Sequence, residues 1–249
     1  MAVQSQLDTL RLLRDNLISG LGVGRDVVWV GGFVVLFHPS DHLLWMNQSM
    51  PVGEVAKGDV AELLRVYAER ERSPWLEFSP ELWPEGPAML EAHGLTCQHT
   101  MPVMVMYREE WSPRETSARA VLKDEVGAMV ETATQVFEGV KASPESVSRT
   151  QKQVEKGNVL ASIVRVGDEV VSCGQAVGTA QVRELAGLAT LEAHRRQGHC
   201  SAVVWDLLNR HFGAEGVLAW LTPGDETARR LYASLGFRPI GTQVTFGLP

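Results

Sequence analysis

The sequence predicts an α/β or α+β fold built on a mixed, largely antiparallel central sheet flanked by helices. Three observations predict it. Short β-branched and aromatic runs alternate with segments of helical period. The turn "GDE" joins two such runs as a hairpin would. The order strand, helix, glycine, strand also recurs in the two halves of the chain.

In chain order, "MAVQSQLDTLRLLRDNL" is amphipathic with internal charges, which predicts a first helix and fits neither a signal peptide nor a membrane span. "RDVVWVGGFVVLFHPSDHLLWMNQSMPV" predicts a pair of strands around the turn-like "HPSDH". "GDVAELLRVYAERE" places Val60, Leu63, Leu64 and Tyr67 at helical spacing behind Asp59, the expected N-cap. "PWLEF", "PEGPAMLEAHGL" and "MPVMVMY" follow as strand, helix and strand. The polar "REEWSPRETSARAV" predicts a linker near residue 112. Beyond it come the helix "KDEVGAMVETATQVF", a polar helix opened by Ser143 and Pro144, and strands at "NVLASIVRV", "VVSCGQAVGT" and "RELAGLATL". An apolar helix after Gly198, the strand "VLAWL", the helix "DETARRLYASLG" and the strand "TQVTF" complete the chain.

The repeated order is close in spacing. "VLAWLTPG", "ETARRLYASL", Gly236-Phe237 and "QVTFGL" correspond to "PWLEFSPE", "GPAMLEAH", Gly94-Leu95 and "PVMVMY". From strand end to glycine the intervals are 236 − 221 = 15 and 94 − 78 = 16, which predicts an internal duplication. Domains are expected at 1–112 and 117–249.

At 249 residues, each half can bury its own core. The formal charge of −7 argues against a broad nucleic-acid footprint, which needs clustered Lys and Arg. Three cysteines without a C-x-x-C pair predict a reduced, cytoplasmic protein, and seven histidines without ligand spacing predict no metal.

The chemistry-bearing stretch is Arg195-Arg196-Gln197-Gly198-His199-Cys200-Ser201, between a strand and an apolar helix. Backbone N–H groups at a helix start have no intrahelical partner, and with the helix dipole they favour an anion. Gly198 leaves room for one to approach, and Arg195, Arg196 and His199 add donors. On these residues alone, a phosphate cradle and a solvated helix start both remain open. Cys200 has no evident histidine and acid partners for a nucleophile, and reads instead as a small side chain that permits close approach.

The stretch resembles the Q/R-x-x-G-x-G/A signature of the GNAT superfamily of acyl-CoA-dependent N-acetyltransferases, with Arg195, Gly198 and Cys200 in the three defined places. "DETARRLYASLGF" resembles the family's N-x-x-A-x-x-L-Y-x-x-L-G-F segment, matching at Ala228, Leu231, Tyr232, Leu235, Gly236 and Phe237. The departures are Cys200, where glycine or alanine is usual, and Asp225, where asparagine often stands.

The resemblance implies acetyl-CoA as co-substrate and direct acetyl transfer to a primary amine. It implies that the backbone of Leu188, Ala189 and Thr190 pairs with pantetheine, with the amide near Leu188 as oxyanion donor. The pyrophosphate would rest on residues 195 to 201, with Asp225 also on the cofactor side. Glu184, 198 − 184 = 14 residues before Gly198, stands where some members place a general base, and Tyr232 is the expected general acid.

In the first half, Leu90 falls where the second has Tyr232, and no arginine-glycine cradle is in register. That half is therefore expected to be a degenerate copy forming one wall of the acceptor cleft. Trp75, Trp83 and the methionines there are expected to pack. The expected partners are a small-molecule or peptide amine, with no nucleic acid and no membrane, for a monomer or homodimer. The alternative function is a non-catalytic CoA or acyl-CoA sensor or interaction protein. A nucleotide binder is disfavoured because G-x-x-x-x-G-K-[ST] and the dinucleotide fingerprint are both missing.

Overall fold

The computed structural model describes residues 2–22 and 24–249. The elements in chain order are α1 (Ala2–Leu21), β1 (Asp26–Val30), β2 (Phe33–Phe37), β3 (Gln48–Pro51), α2 (Asp59–Glu69), β4 (Trp75–Phe78), α3 (Gly86–Glu91) and β5 (Thr96–Tyr107). They continue as β6 (Arg119–Ala120), α4 (Val126–Glu138), α5 (Pro144–Glu155), β7 (Val159–Val166), β8 (Glu169–Gly178), β9 (Val182–Thr190), α6 (His199–Phe212), β10 (Leu218–Leu221), α7 (Glu226–Ser234) and β11 (Arg238–Gly247). The mixed sheet and its flanking helices are those the sequence predicts. Met1, which opens the predicted first helix, lies outside the described residues.

Contacts divide the chain into two compact units. The first comprises Met1–Met104 with Thr222–Glu226 and Pro239–Pro249, and the second Val105–Leu221 with Thr227–Arg238. The C-terminal strand is thus counted with the first unit, and the division follows contacts rather than chain order.

In the first unit the strand order is β1-β2-β3-β4-β11-β5. The pairs β1–β2, β2–β3 and β4–β11 are antiparallel, while β3–β4 is parallel through Ser49 and Leu76. Strand β2 is apolar throughout because it is covered on both faces. Phe33, Val35 and Phe37 pack with Val60, Leu63 and Tyr67 of α2, whereas Val34 and Leu36 face Leu17, Ile18 and Leu21 of α1.

Here the sequence expectation needs correcting. The "RDVV…MPV" stretch forms three strands, not two: β2 and β3 pair antiparallel across the connection that holds "HPSDH", as expected, and a further hairpin turning at Gly31-Gly32 adds β1. Gly31 at φ 52° supplies the left-handed backbone that a two-residue hairpin favours. The residues of "HPSDH" wrap a buried Asn47, which bonds His38 N, Asp41 O and Leu43 O.

In the second unit the order is β10-β9-β8-β7-β6, antiparallel from β6 to β9 and parallel between β9 and β10. Helices α4 and α5 cover one face, where Met129, Val130, Val147 and Val154 meet Ile163, Cys173 and Ala189. Helix α6 covers the other. At Gly174 of β8 an added Cβ would lie 2.5 Å from Leu188 and 2.9 Å from Val203, so glycine permits the approach of α6.

The start of α5 is as expected: Ser143 Oγ accepts from Ser146 N at 3.1 Å, and Pro144 is the first helical residue. The predicted linker is no free tether, because Arg114 and Asn209 exchange two hydrogen bonds and Thr116 donates to Ala202 O. The Arg114 guanidinium also stacks 4.3 Å from the Trp205 ring.

Candidate active site

Strand β9 organises the site. It pairs with β10 only over Val182–Glu184, against Leu218–Trp220, and then continues for six residues with no further β10 partner in register. Beyond Glu184 the backbone edge of β9 on that side is therefore not paired to β10. On the β8 side, Gln175 opposes Ala186 while Cys173 opposes Ala189, so Gly187 and Leu188 both face Gly174 in a bulge. Gly187 takes φ 61°, the left-handed conformation such bulges use.

The bulge decides where each side chain goes. Glu184 lies opposite Val177, which packs in the α4/α5 cluster, so the half-buried Glu184 shares that face. Leu188 turns to the other face, against Gly174, and Ala189 returns to the α4 side. Beyond the bulge the strand is fastened to β8. Ser172 Oγ donates to Ala189 O at 2.8 Å and lies 2.8 Å from Thr190 Oγ1, and Leu191 N donates to Val171 O.

From that fixed end the chain enters the arginine loop. Arg195 Nε donates to Thr190 O at 3.3 Å, which ties the loop to β9. Arg195, Arg196, Gln197 and Gly198 are exposed, and two of the four are left-handed: Arg196 at φ 62° and Gly198 at φ 82°. Gly198 is the N-cap of α6 and its carbonyl takes the first helical bond, from Ala202 N. The N–H groups of His199, Cys200 and Ser201 therefore leave the helix start without intrahelical partners. Gly198, having no side chain, caps none of them. The imidazole Nε2 of His199 is buried there without a hydrogen-bond partner, with the His194 ring 6.2 Å away.

Burial pushes the Cys200 thiol up to about 11, so it is a neutral, small side chain at neutral pH. Tyr232 lies on α7, 6 % exposed, its ring edge-on to Phe237 at 6.3 Å. Asp225 is exposed immediately before α7.

The start of α2 in the first unit is built differently. Asp59 is the first residue of α2 rather than its N-cap, which is Gly58. Its carboxylate accepts from Gly32 N at 2.9 Å and Ala56 N at 3.0 Å. The chain thus places its own anion there, where a phosphate would be repelled. One residue the sequence reading passed over is Trp220, directly opposite Glu184 and only 3 % exposed, with its indole N–H unpartnered. In "VLAWL" it reads as core, and only the pairing register reveals its neighbour.

The site is thus a parallel strand pair that diverges beside the N-terminus of α6, on a sheet whose other face is covered by α4 and α5. Residues 127–237 match the Acetyltransferase (GNAT) family, and that segment is a GNAT acetyltransferase domain. Among solved structures, a GCN5-related N-acetyltransferase from Kribbella flavida is similar over 96% of this chain and 95% of its own, at 24% identity and a TM-score of 0.78. A GCN5-related N-acetyltransferase from Sphaerobacter thermophilus is similar over 95% of this chain and 84% of its own, at 15% identity and a TM-score of 0.67. A tandem GNAT protein from the clavulanic acid biosynthesis pathway shares 13% identity over 88% of this chain and 78% of its own, with a TM-score of 0.58. These likenesses are of fold. No curated protein sequence matches the chain.

Proposed function

We propose that the protein is an acetyl-CoA-dependent N-acetyltransferase with one active site, in the second unit, moving an acetyl group directly to a primary amine. The carrying observation is the edge of β9 beyond its pairing with β10, leading into the N-terminus of α6 at Gly198. Both ends of an acyl-CoA suit it: the edge offers backbone groups for pantetheine amides, and the helix start offers N–H groups for pyrophosphate.

In this reading Glu184 takes a proton from the acceptor ammonium, directly or through water, and the freed amine attacks the thioester carbonyl. The bulge amide near Leu188 holds the developing oxyanion. As the C–S bond breaks, Tyr232 gives its phenolic proton to the departing thiolate. Arg195 and Arg196 supply charge to the phosphates. The first unit is read as a degenerate copy, which the Asp59 carboxylate at its helix start supports.

No helix among the described residues is long and apolar enough to cross a membrane, and no group of three or more His, Cys, Asp or Glu among them is placed to hold a metal. The free thiols of Cys97, Cys173 and Cys200 support placing the protein in the reducing cytoplasm. The acceptor is a small-molecule or peptide amine.

Thiol release from acetyl-CoA over an amine panel tests the reading. Tyr232→Phe should lower kcat by about 100-fold with acetyl-CoA binding retained, and Arg196→Ala should weaken that binding. Activity untouched by both variants would sink it. Tight CoA binding without turnover on any amine would instead favour the non-catalytic sensor.

A further inference from the structure

The indole N–H of Trp220 has no role in the reaction described above. Trp220 and Glu184 are partners in the short parallel pairing of β10 and β9, so their side chains lie on the same face of the sheet, the one covered by α4 and α5. Theirs is also the last pair before the two strands part. Trp220 is 3 % exposed, and its N–H, a donor with no acceptor capacity, has no partner. Leaving a buried donor unpaired is costly, and buried tryptophans usually find an acceptor.

We propose that Trp220 is a specificity residue whose N–H receives an oxygen of the acceptor substrate beside its reacting amine. This rests on the N-acetyltransferase reading and on Glu184 receiving the ammonium. A carboxylate and an N–H donor on adjacent strands match a group carrying an ammonium and a carbonyl oxygen on neighbouring carbons. That group is the α-aminoacyl unit of a free amino acid or of a peptide N-terminus. A simple alkylamine offers only the ammonium and leaves the indole N–H unpaired, which is how a polar site rejects an analogue lacking the complementary group.

The test uses the full chain with acetyl-CoA and matched amines: glycine, glycinamide and diglycine against ethylamine. The wild-type protein should favour one or more of the three aminoacyl compounds over ethylamine in kcat/KM by about tenfold or more. Glycine against diglycine separates a free amino acid from a peptide end. Trp220→Phe should collapse the preference toward unity. Replacing Trp220 with benzothienylalanine, which keeps the bicyclic shape and substitutes sulfur for the N–H, should do the same without the cavity. An unchanged preference in the benzothienyl variant, or no aminoacyl preference in the wild type, overturns the inference while leaving the acetyltransferase reading intact. Acetyl-CoA bound calorimetrically with no amine turned over overturns both.

Discussion

Arg196 holds φ 62°, a left-handed conformation costing a residue with a Cβ about 1–2 kcal/mol. Such strain persists where the backbone must aim its groups. Arg196→Gly therefore has two opposed expected effects. Thermal unfolding should rise by about 2–4 °C as the strain is relieved, while acetyl-CoA binding should weaken by about tenfold with loss of the guanidinium. Melting curves and titration calorimetry on one preparation separate them. A fall in Tm, or unchanged affinity, would contradict the assignment. The thiols differ by burial in a similar way. Cys97 is exposed, whereas burial raises Cys173 and Cys200 to about 12 and about 11. Iodoacetamide at pH 7.5 should label Cys97 at least about tenfold faster than either, as peptide mass spectrometry would show.

At the scale of elements, the hairpin β1–β2 and the start of α2 depend on one carboxylate. An added Cβ on Gly31 would fall 2.1 Å from Asp59 Cγ and 2.3 Å from both of its oxygens, at a φ of 52°. Gly31→Ala should cost about 2 kcal/mol or more, read as a lower urea midpoint, through combined clash and backbone strain. An unchanged midpoint would mean that the hairpin tip and helix start are not locked together. Helix α4 has a comparable anchor. Glu125 receives two bonds from Arg119 at 2.6 Å, one from Arg165 at 3.1 Å and one from Leu122 N at 3.0 Å. Chiefly through Arg119, its carboxyl is held down to about 2. The sequence shows α4 by its apolar period, but it does not show that arginines 6 residues back and 40 residues ahead meet one acid.

Across the whole molecule, the depressed groups act together on acid stability. His211 is 2 % exposed, and burial lowers it to about 4, as a neutral ring whose Nε2 donates to Leu218 O at 3.0 Å. Because the unfolded chain binds the proton more readily, this contribution is complete above pH 6.5 and is lost as pH falls from 6.5 through 4. Glu125 likewise stabilises above pH 4.5 and loses its effect as pH falls toward 2. Glu77, raised by burial, works in the opposite sense, losing stability as pH rises past its unfolded value of 4.5. The urea midpoint should fall between pH 6.5 and 4, and His211→Gln should flatten that slope. A slope unaltered by the variant would show that His211 does not titrate with unfolding. A single acetyl-CoA per chain is expected by calorimetry, given Asp59 in the first unit, and two would require a second functional cradle.

The sequence by itself determined the fold class, the existence of most elements and the position of the arginine-glycine loop. These depend on hydrophobic period, turn residues and motifs that are local along the chain. The start of α5 at Ser143-Pro144 and the "GDE" hairpin were legible for that reason. Only the tertiary structure decided what pairing and packing decide. It set the turn at Gly31-Gly32, the fastening of the residue-112 segment to α6, and the allocation of β11 to the first unit. It also placed Trp220 beside Glu184, since two strands separated by a helix share a register fixed by backbone hydrogen bonds that no local pattern encodes.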